Sequence, residues 1–325
     1  MKISRRAAAA GFAAVPFAAS VAAAQTPPKR VVGVPSGQFQ FTPSMEEAIA
    51  IAKDAGFDAI EWNVRDGAHV PPSSVARDLP RAVDLTHKAG LKTEMVTTSI
   101  QDAQTPYAED ILKAMRAAGI RFYRSSNYFR YDYTKDVTAQ LEALRPRIAS
   151  IAALNAKYGT TICYHTHSPS NGVDLICGNV WDLWSILKDF DPRQAGFNYD
   201  TAHTVIDSLA DWRPGAYVAR RSIDGVAVKD FNWVKQPPGS RAYAQDVMCP
   251  LGEGLVDFKA HFEFFRDIGF SGPINIHFEH HGMLAPVVTP IGKAVAPQPR
   301  DVMVRLMAAD LDYLRGKMRE AGFSS

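Results

Sequence analysis

Four short stretches of this 325-residue chain carry side chains suited to metal binding or proton transfer. They are Tyr164-His165-Thr166-His167, Asn198-Tyr199-Asp200-Thr201-Ala202-His203, Val228-Lys229-Asp230 and His277-Phe278-Glu279-His280-His281. Each closes a segment that reads as a β-strand. Successive strand residues point to opposite faces, so His165 shares a face with His167, Asn198 with Asp200, and His277 with Glu279. If the strands run parallel in one closed sheet, these ends meet at a single mouth. His165, Asp200 and Glu279, with His167 or His203 nearby, would give a divalent metal mixed nitrogen and oxygen ligands. That set suits Mn, Zn or Fe better than Ca. So few protein ligands leave positions open to water or substrate, as catalysis requires. The alternative for each imidazole is a neutral side chain bonded to a backbone carbonyl.

Proton chemistry has its own candidates. Lys229 should point into the mouth, where its ammonium beside Asp200 and Glu279 would stabilise a developing oxyanion. An amine with its pKa lowered by burial would instead form a Schiff base, and a structural ion pair is the third reading. Glu61 ends the second strand and reads as a proton shuttle, a ligand for substrate hydroxyls or a solvated strand-end carboxylate. His165, His203 and Glu61 are the residues expected to move a proton. Trp62, Arg124 and His167 are expected to line the substrate pocket. His277 reads as packing inside the sheet, His280 as facing away from the mouth, and His281 as within reach of it.

The elements that must position these residues follow one repeated pattern: an amphipathic helix, a glycine, then a strand. Gly56, Gly90, Gly119, Gly159 and Gly269 each follow a helical segment, and glycine supplies the left-handed residue that closes a helix at little steric cost. Strands are expected near 31–34, 57–62, 91–96, 120–124, 160–165, 195–200, 225–230 and 273–279. Helices are expected near 44–55, 74–89, 107–118, 136–158, 179–189, 205–221, 257–268 and 301–320. Ser44 to Glu47 has capping-box spacing, and Asp257 is a plausible N-cap. Strict β/α alternation implies a parallel sheet covered by helices, and eight units in this length favour a closed (β/α)8 TIM barrel. No Gly-x-Gly-x-x-Gly turn follows the first strand, which argues against a dinucleotide fold. The long segments 232–250 and 280–299 fall on the mouth side and read either as lids or as surface connections.

Composition narrows the class. Lys2, Arg5 and Arg6, a weakly apolar run over 7–19, and Ala22-Ala23-Ala24 read as a signal peptide over 1–24, with the barrel domain spanning 25–325. Ser4-Arg5-Arg6 suggests the twin-arginine route over an ordinary secretory one, so the mature protein is expected to be periplasmic or secreted. Removing those three basic residues leaves 33 Lys and Arg against 34 Asp and Glu. With no basic run interleaved with aromatics, a nucleic-acid partner is disfavoured. No stretch of the mature chain is long and apolar enough to span a membrane. Three cysteines without Cys-x-x-Cys spacing give no metal or redox motif, and Cys163 reads as a small core residue.

Six motifs, in order, carry a family resemblance: Gly56-Phe57-Asp58-Ala59-Ile60-Glu61, Tyr164-His165-Thr166-His167, Asp200-Thr201-Ala202-His203, Val228-Lys229-Asp230, Leu251-Gly252-Glu253-Gly254-Leu255-Val256-Asp257-Phe258, and Glu279. The chain resembles the sugar phosphate isomerase/epimerase superfamily, the xylose isomerase-like TIM barrels, over about residues 31 to 315. The resemblance implies a divalent metal held by a Glu, an Asp, a His and a Glu after strands five to eight. Asp200 and Glu279 match the second and fourth of these. His165 stands where the first Glu is usual and Ala227 where the His is usual. The resemblance further implies a small-molecule carbohydrate partner and isomerisation or epimerisation by proton transfer next to a carbonyl. With His165 replacing one of the two opposed carboxylates, a lyase or dehydratase on keto-sugars or glycosides is the alternative. A catalytically silent sugar-binding barrel is the third. The Gly252-Glu253-Gly254 turn makes no phosphate cradle, so a non-phosphorylated sugar is expected.

Overall fold

The computed structural model describes residues 30–39, 42–169, 173–208, 211–240, 244–280, 287–288, 294–295 and 298–323. The segment read as a signal peptide and His281 lie outside the described residues. In chain order the elements are β1 (Val32–Pro35), α1 (Met45–Asp54), β2 (Ala59–Val64), α2 (Val75–Lys88), β3 (Met95–Thr98), α3 (Ala108–Ala117) and β4 (Phe122–Ser125). There follow α4 (Val137–Tyr158), β5 (Thr161–His165), α5 (Val180–Leu187), β6 (Ala195–Asp200), α6 (Thr201–Ser208), α7 (Arg213–Ala219) and β7 (Ile223–Val228). The chain continues through β8 (Asp230–Lys235), β9 (Ala244–Cys249), α8 (Phe258–Asp267), β10 (Ile274–Ile276), β11 (Val287–Val288), β12 (Ala294–Val295) and α9 (Arg300–Glu320).

Eight of these strands close into a parallel barrel in the order β1-β10-β7-β6-β5-β4-β3-β2, the expected architecture. The local signals perform as read. All five helix-ending glycines sit at positive φ, between 68° and 87°. Ser44 Oγ accepts from the Glu47 N–H at 3.2 Å, and Asp257 Oδ1 accepts from the Ala260 N–H at 3.0 Å.

Two expectations change. The single helix at 205–221 is two helices, because the Asp200 carboxylate accepts from the N–H groups of Ala202 and His203 and starts α6 at the strand's end. Pro214, at the second position of α7, then suits a fresh helix start. The segment 232–250 is not bare loop either: most of it is the antiparallel β8–β9 hairpin.

Strand alternation splits the side chains into two layers. Outward residues such as Ile60, Trp62, Tyr123, Phe197, Val226 and Val228 pack under the helices and are fully buried. Each contributes about 1.5–3 kcal/mol by leaving water. The inward face of the barrel floor is small, with Gly33, Ala59, Gly225 and Ala227. A Cβ on Gly33 would lie 2.3 Å from Asn275 Oδ1, and one on Gly225 would lie 2.7 Å from Asn198 Oδ1. Those glycines make room for two amide side chains across the floor. The polar residues rise above them at the C-terminal ends of β5, β6, β7 and β10.

Candidate active site

Lys229 is the hub of the mouth. It leaves β7 on the inward face, and its Nζ lies 2.9 Å from Glu279 Oε1, 3.4 Å from Asp200 Oδ2 and 2.8 Å from His203 Nε2. Glu279 Oε1 and His203 Nε2 take two of the ammonium's three N–H donors, and Asp200 Oδ2 faces it as an ion pair. Burial alone would lower its pKa, but Asp200 and Glu279 outweigh that and hold it above the ordinary lysine value. The amine is therefore charged and 2% exposed, which removes the Schiff-base reading. It positions its partners. Because Lys229 donates to Nε2, the neutral His203 carries its proton on Nδ1 and donates to Ser168 Oγ at 2.8 Å. Both nitrogens of His203 are thus engaged, so it is not the free base expected of it.

Glu279 is the group that faces out. Its side chain is 30% exposed, against 1% for Lys229 and none for Asp200. Burial pushes its pKa up, but Lys229 and the other cationic neighbours pull it below the usual carboxylate value, so it is ionised at neutral pH. Asp200 moves the other way, raised by burial to about 6.

The metal-binding set differs from the one expected. His165, Asp200 and His277 bring one ligand atom each within 4.8 Å of the others, all three residues buried. Asp200 Oδ2 and His277 Nε2 are buried with no hydrogen-bond partner, as orphaned ligand atoms would be. Burial holds His165 and His277 well below the ordinary histidine pKa, which keeps them neutral, the form that ligates. Asn198 controls the third atom. Its Nδ2 lies 2.9 Å from His165 Nδ1, and its Oδ1 is buried without a partner. Turning that amide lets Oδ1 accept from Nδ1–H, so that Nε2 presents its lone pair toward Asp200. The residues thus fit a divalent ion of the Mn, Zn or Fe type. Glu279, the fourth ligand expected from the resemblance, pairs with Lys229 and lies outside this cluster. His277, read from the sequence as packing, stands in this cluster. Asn275 is in register with Ala227, and His277 rises two residues further on the same face. The imidazole absent at 227 is supplied by the neighbouring strand.

Glu61 and Arg124 form a second pair deeper in the barrel. Arg124 Nε donates to Glu61 Oε1 at 2.8 Å, and the Thr97 hydroxyl donates to the same oxygen. Glu61 is 1% exposed and Arg124 9%, so the shuttle expected at Glu61 is a buried carboxylate with one oxygen held, and Arg124 stands behind the mouth as its partner. Trp62 is corrected outright. It neighbours Glu61 in β2 and faces the opposite way, donating from Nε1 to Thr86 Oγ1 of α2 at 3.0 Å. Strand alternation alone forbids both residues from lining the mouth.

His167 does line it. Its Nδ1 donates to the Ser168 carbonyl at 2.7 Å, its ring stacks on His203 at 3.8 Å, and burial lowers its pKa to about 4. Tyr128, which no sequence signal marked, closes this side with its ring 4.8 Å from His167 and 6.2 Å from His165. Burial raises its pKa, so the phenol stays protonated. It follows β4 by three residues, and only the convergence of loops brings it to the site. His280 faces away, as expected, pairing with Asp310 Oδ2 at 2.9 Å. Asp230 anchors the loop above: its carboxylate accepts from the N–H groups of Gly252, Gly254 and Val256 at 2.9, 3.0 and 3.1 Å. The glycine-rich motif thus serves Asp230 and not a ligand.

The sequence profile of the xylose isomerase-like TIM barrel family matches residues 49–303. No curated protein matches the chain. Among solved structures, D-psicose 3-epimerase from Clostridium cellulolyticum, bound to D-tagatose, superposes with a TM-score of 0.66 at 15% identity, covering 91% of this chain and all of that one. The 3-keto-D-glucoside 4-epimerase of E. coli gives 0.61 at 14% identity, covering 89% of this chain and all of that one. A probable 3-DHS dehydratase from Bacillus anthracis gives 0.61 at 15% identity, covering 85% and 97%. At these identities the likeness is one of fold.

Proposed function

The chain belongs to the xylose isomerase-like TIM barrel family, and on that footing we propose that it abstracts a proton next to the carbonyl of a non-phosphorylated sugar or keto-sugar. Epimerisation or isomerisation is the outcome. The observation that carries this reading is Glu279: an ionised carboxylate, open to the mouth and fixed by a buried ammonium at 2.9 Å. That is the geometry of a general base. Glu279 takes the proton, and the C–H electrons move onto the carbonyl oxygen as an enediolate. Tyr128, a protonated phenol on the opposite wall, donates a hydrogen bond to that oxygen and then gives its proton to the opposite face of the carbon, and exchange with solvent takes the proton from Glu279 and restores the phenol. A divalent metal held by His165, Asp200 and His277 would polarise a substrate oxygen as a Lewis acid. Arg124 and Lys229 are paired with carboxylates, so neither is an isolated charge awaiting a phosphate. The epimerases among the solved structures, named for D-psicose and a 3-keto-D-glucoside, support the same substrate class. An exported location, carried by Arg5-Arg6 and the alanine-rich run, belongs to the proposal and suits sugars met outside the cell.

One observation favours a second reading. With His165 in place of a carboxylate, the mouth has one open base and not two opposed ones. A dehydratase or lyase needs one: the same enediolate expels a β-oxygen, the C–O bond breaks, and the leaving oxygen takes a proton from Tyr128. Incubating the protein with keto-sugars and 3-keto-glycosides in deuterated water separates these outcomes. Deuterium next to the carbonyl without loss of mass marks an epimerase or isomerase, and loss of water or aglycone marks a lyase. Glu279→Gln should slow exchange ~10²–10⁴-fold. Undiminished exchange in that variant removes Glu279 as the base. Sugar binding with no exchange at all leaves a silent binding barrel.

A further inference from the structure

Beside the mouth lies a cavity of about 330 Å³, lined among others by Tyr131, Tyr133, Trp181, Asn179, Asp182 and Asp207. Its rim is aromatic and open: Tyr133 is 67% exposed and Trp181 46%. Tyr133 stacks flat on Tyr131, with ring centroids 5.7 Å apart and planes 10° from parallel. Trp181 is braced edge-on by Trp184 at 6.0 Å. Exposed flat rings held in fixed orientation are costly to leave in water, and they suit the apolar face of a sugar ring.

The polar half of the cavity is acidic and uncharged by cations. No Lys or Arg is among the described residues lining it, so a phosphate or carboxylate ligand has no partner there. Asp182 is already used, accepting from the Tyr131 hydroxyl at 2.8 Å and from the Cys177 N–H at 3.0 Å. Asp207 is not: its Oδ2 is buried with no hydrogen-bond partner. Burial, with Asp182 and Asp246 nearby, raises its pKa to about 7. Such a carboxyl can accept from a hydroxyl or, protonated, donate to one.

The residues of the cavity adjoin those of the site along the chain. Asp207 follows His203 by one turn of α6 and shares its face. The His167 N–H donates to the Cys177 carbonyl at 3.1 Å, and a Cβ on Gly178 would touch both the His167 carbonyl and Asp207 Oδ2 at 3.1 Å. Tyr128 and the Tyr131/Tyr133 pair lie on one loop. The geometry points to a second carbohydrate subsite, formed by Tyr133, Trp181 and Asp207, that takes the neighbouring ring of a glycoside whose reacting ring occupies the mouth. This inference rests on the mouth binding a sugar, and it narrows the substrate from free monosaccharides to two-ring glycosides.

Calorimetric titration tests it without requiring turnover. The probes are glucose and methyl β-glucoside as single rings, and cellobiose, maltose and trehalose as double rings. At least one disaccharide should bind ten-fold or more tightly than the single rings. Trp181→Ala and Tyr133→Ala should each collapse that preference toward unity. Both side chains are exposed, so unchanged melting curves will show that folding is intact. Asp207→Asn, neutral and the same size, should retain more of the preference than Asp207→Ala. Equal affinity for one and two rings, or a preference untouched by Trp181→Ala and Tyr133→Ala, overturns the subsite. The two readings fail separately. Disaccharide binding lost in Trp181→Ala without deuterium exchange on any sugar keeps the subsite and removes the catalytic proposal. Exchange on monosaccharides with no disaccharide preference does the reverse.

Discussion

Replacing Lys229 with methionine keeps the length of the side chain and removes its charge. Glu279 at 2.9 Å and His203 at 2.8 Å then lose a donor, and Asp200 at 3.4 Å loses its counter-charge. Removing one partner of a buried pair costs about 3–5 kcal/mol, because the charge left behind is uncompensated. The 30% exposure of the Glu279 side chain puts the cost at the low end, about 3 kcal/mol. At roughly 2–4 °C per kcal/mol, the melting temperature should fall by about 6–12 °C at pH 7.

The pH dependence carries a sign. The pKa of Glu279 is lowered on folding, so its contribution is present above the ordinary value of 4.5 and is lost as pH falls through the lowered one. The pKa of Lys229 is raised, so its contribution is present below the ordinary value of 10.5 and is lost as pH rises through the raised one. Asp200, with its pKa near 6, is ionised only above that value, so the stability gap between wild type and Lys229→Met should be widest from above about pH 6 up to 10.5 and shrink on either side. Thermal melts followed by circular dichroism across that range measure it. Adding Glu279→Gln to Lys229→Met should cost far less than Glu279→Gln alone, since the pair is already broken. A melting temperature within about 2 °C of wild type, or full additivity of the two substitutions, would show that Lys229 is not the hub.

The metal set makes a prediction that opposes the one from sequence. Metal analysis after dialysis against Mn or Zn should find about one ion per chain, lost in His277→Ala and Asp200→Ala and retained in Glu279→Gln; the opposite pattern returns Glu279 to the ligand set. Trp62→Phe removes a buried donor to Thr86 and should lower stability by about 1 kcal/mol while leaving KM for any turned-over sugar unchanged; a raised KM would place Trp62 at the pocket after all. Gly254→Ala would set a Cβ 2.2 Å from Asp230 Oδ1. Urea unfolding should show at least 1–3 kcal/mol lost through overpacking, and a neutral result would mean that the Asp230 anchor is slack.

Much of the frame was legible in the chain because its signals are local. A glycine after a helix, a Ser or Asp before one, and an apolar run of strand length act within a few residues, and all eight barrel strands were placed that way. Alternation likewise put His165, Asp200 and Glu279 on inward faces, and it would have turned Trp62 outward had it been applied beside Glu61. The division of labour in the mouth was not local. Lys229, Glu279, Asp200 and His203 lie on different elements, and only their closed arrangement shows that one ammonium faces all three partners. His277 joins the His165–Asp200 cluster while Glu279 pairs with Lys229, because the register of β10 against β7 sets their heights above the small residue Ala227. Tyr128 and the aromatic cavity come from loops with no periodic signal. The sequence dictated which residues face inward, since that depends on strand period alone. Which of them pair, ligate or stay open is a matter of distance between strands, and that is fixed only when the barrel closes.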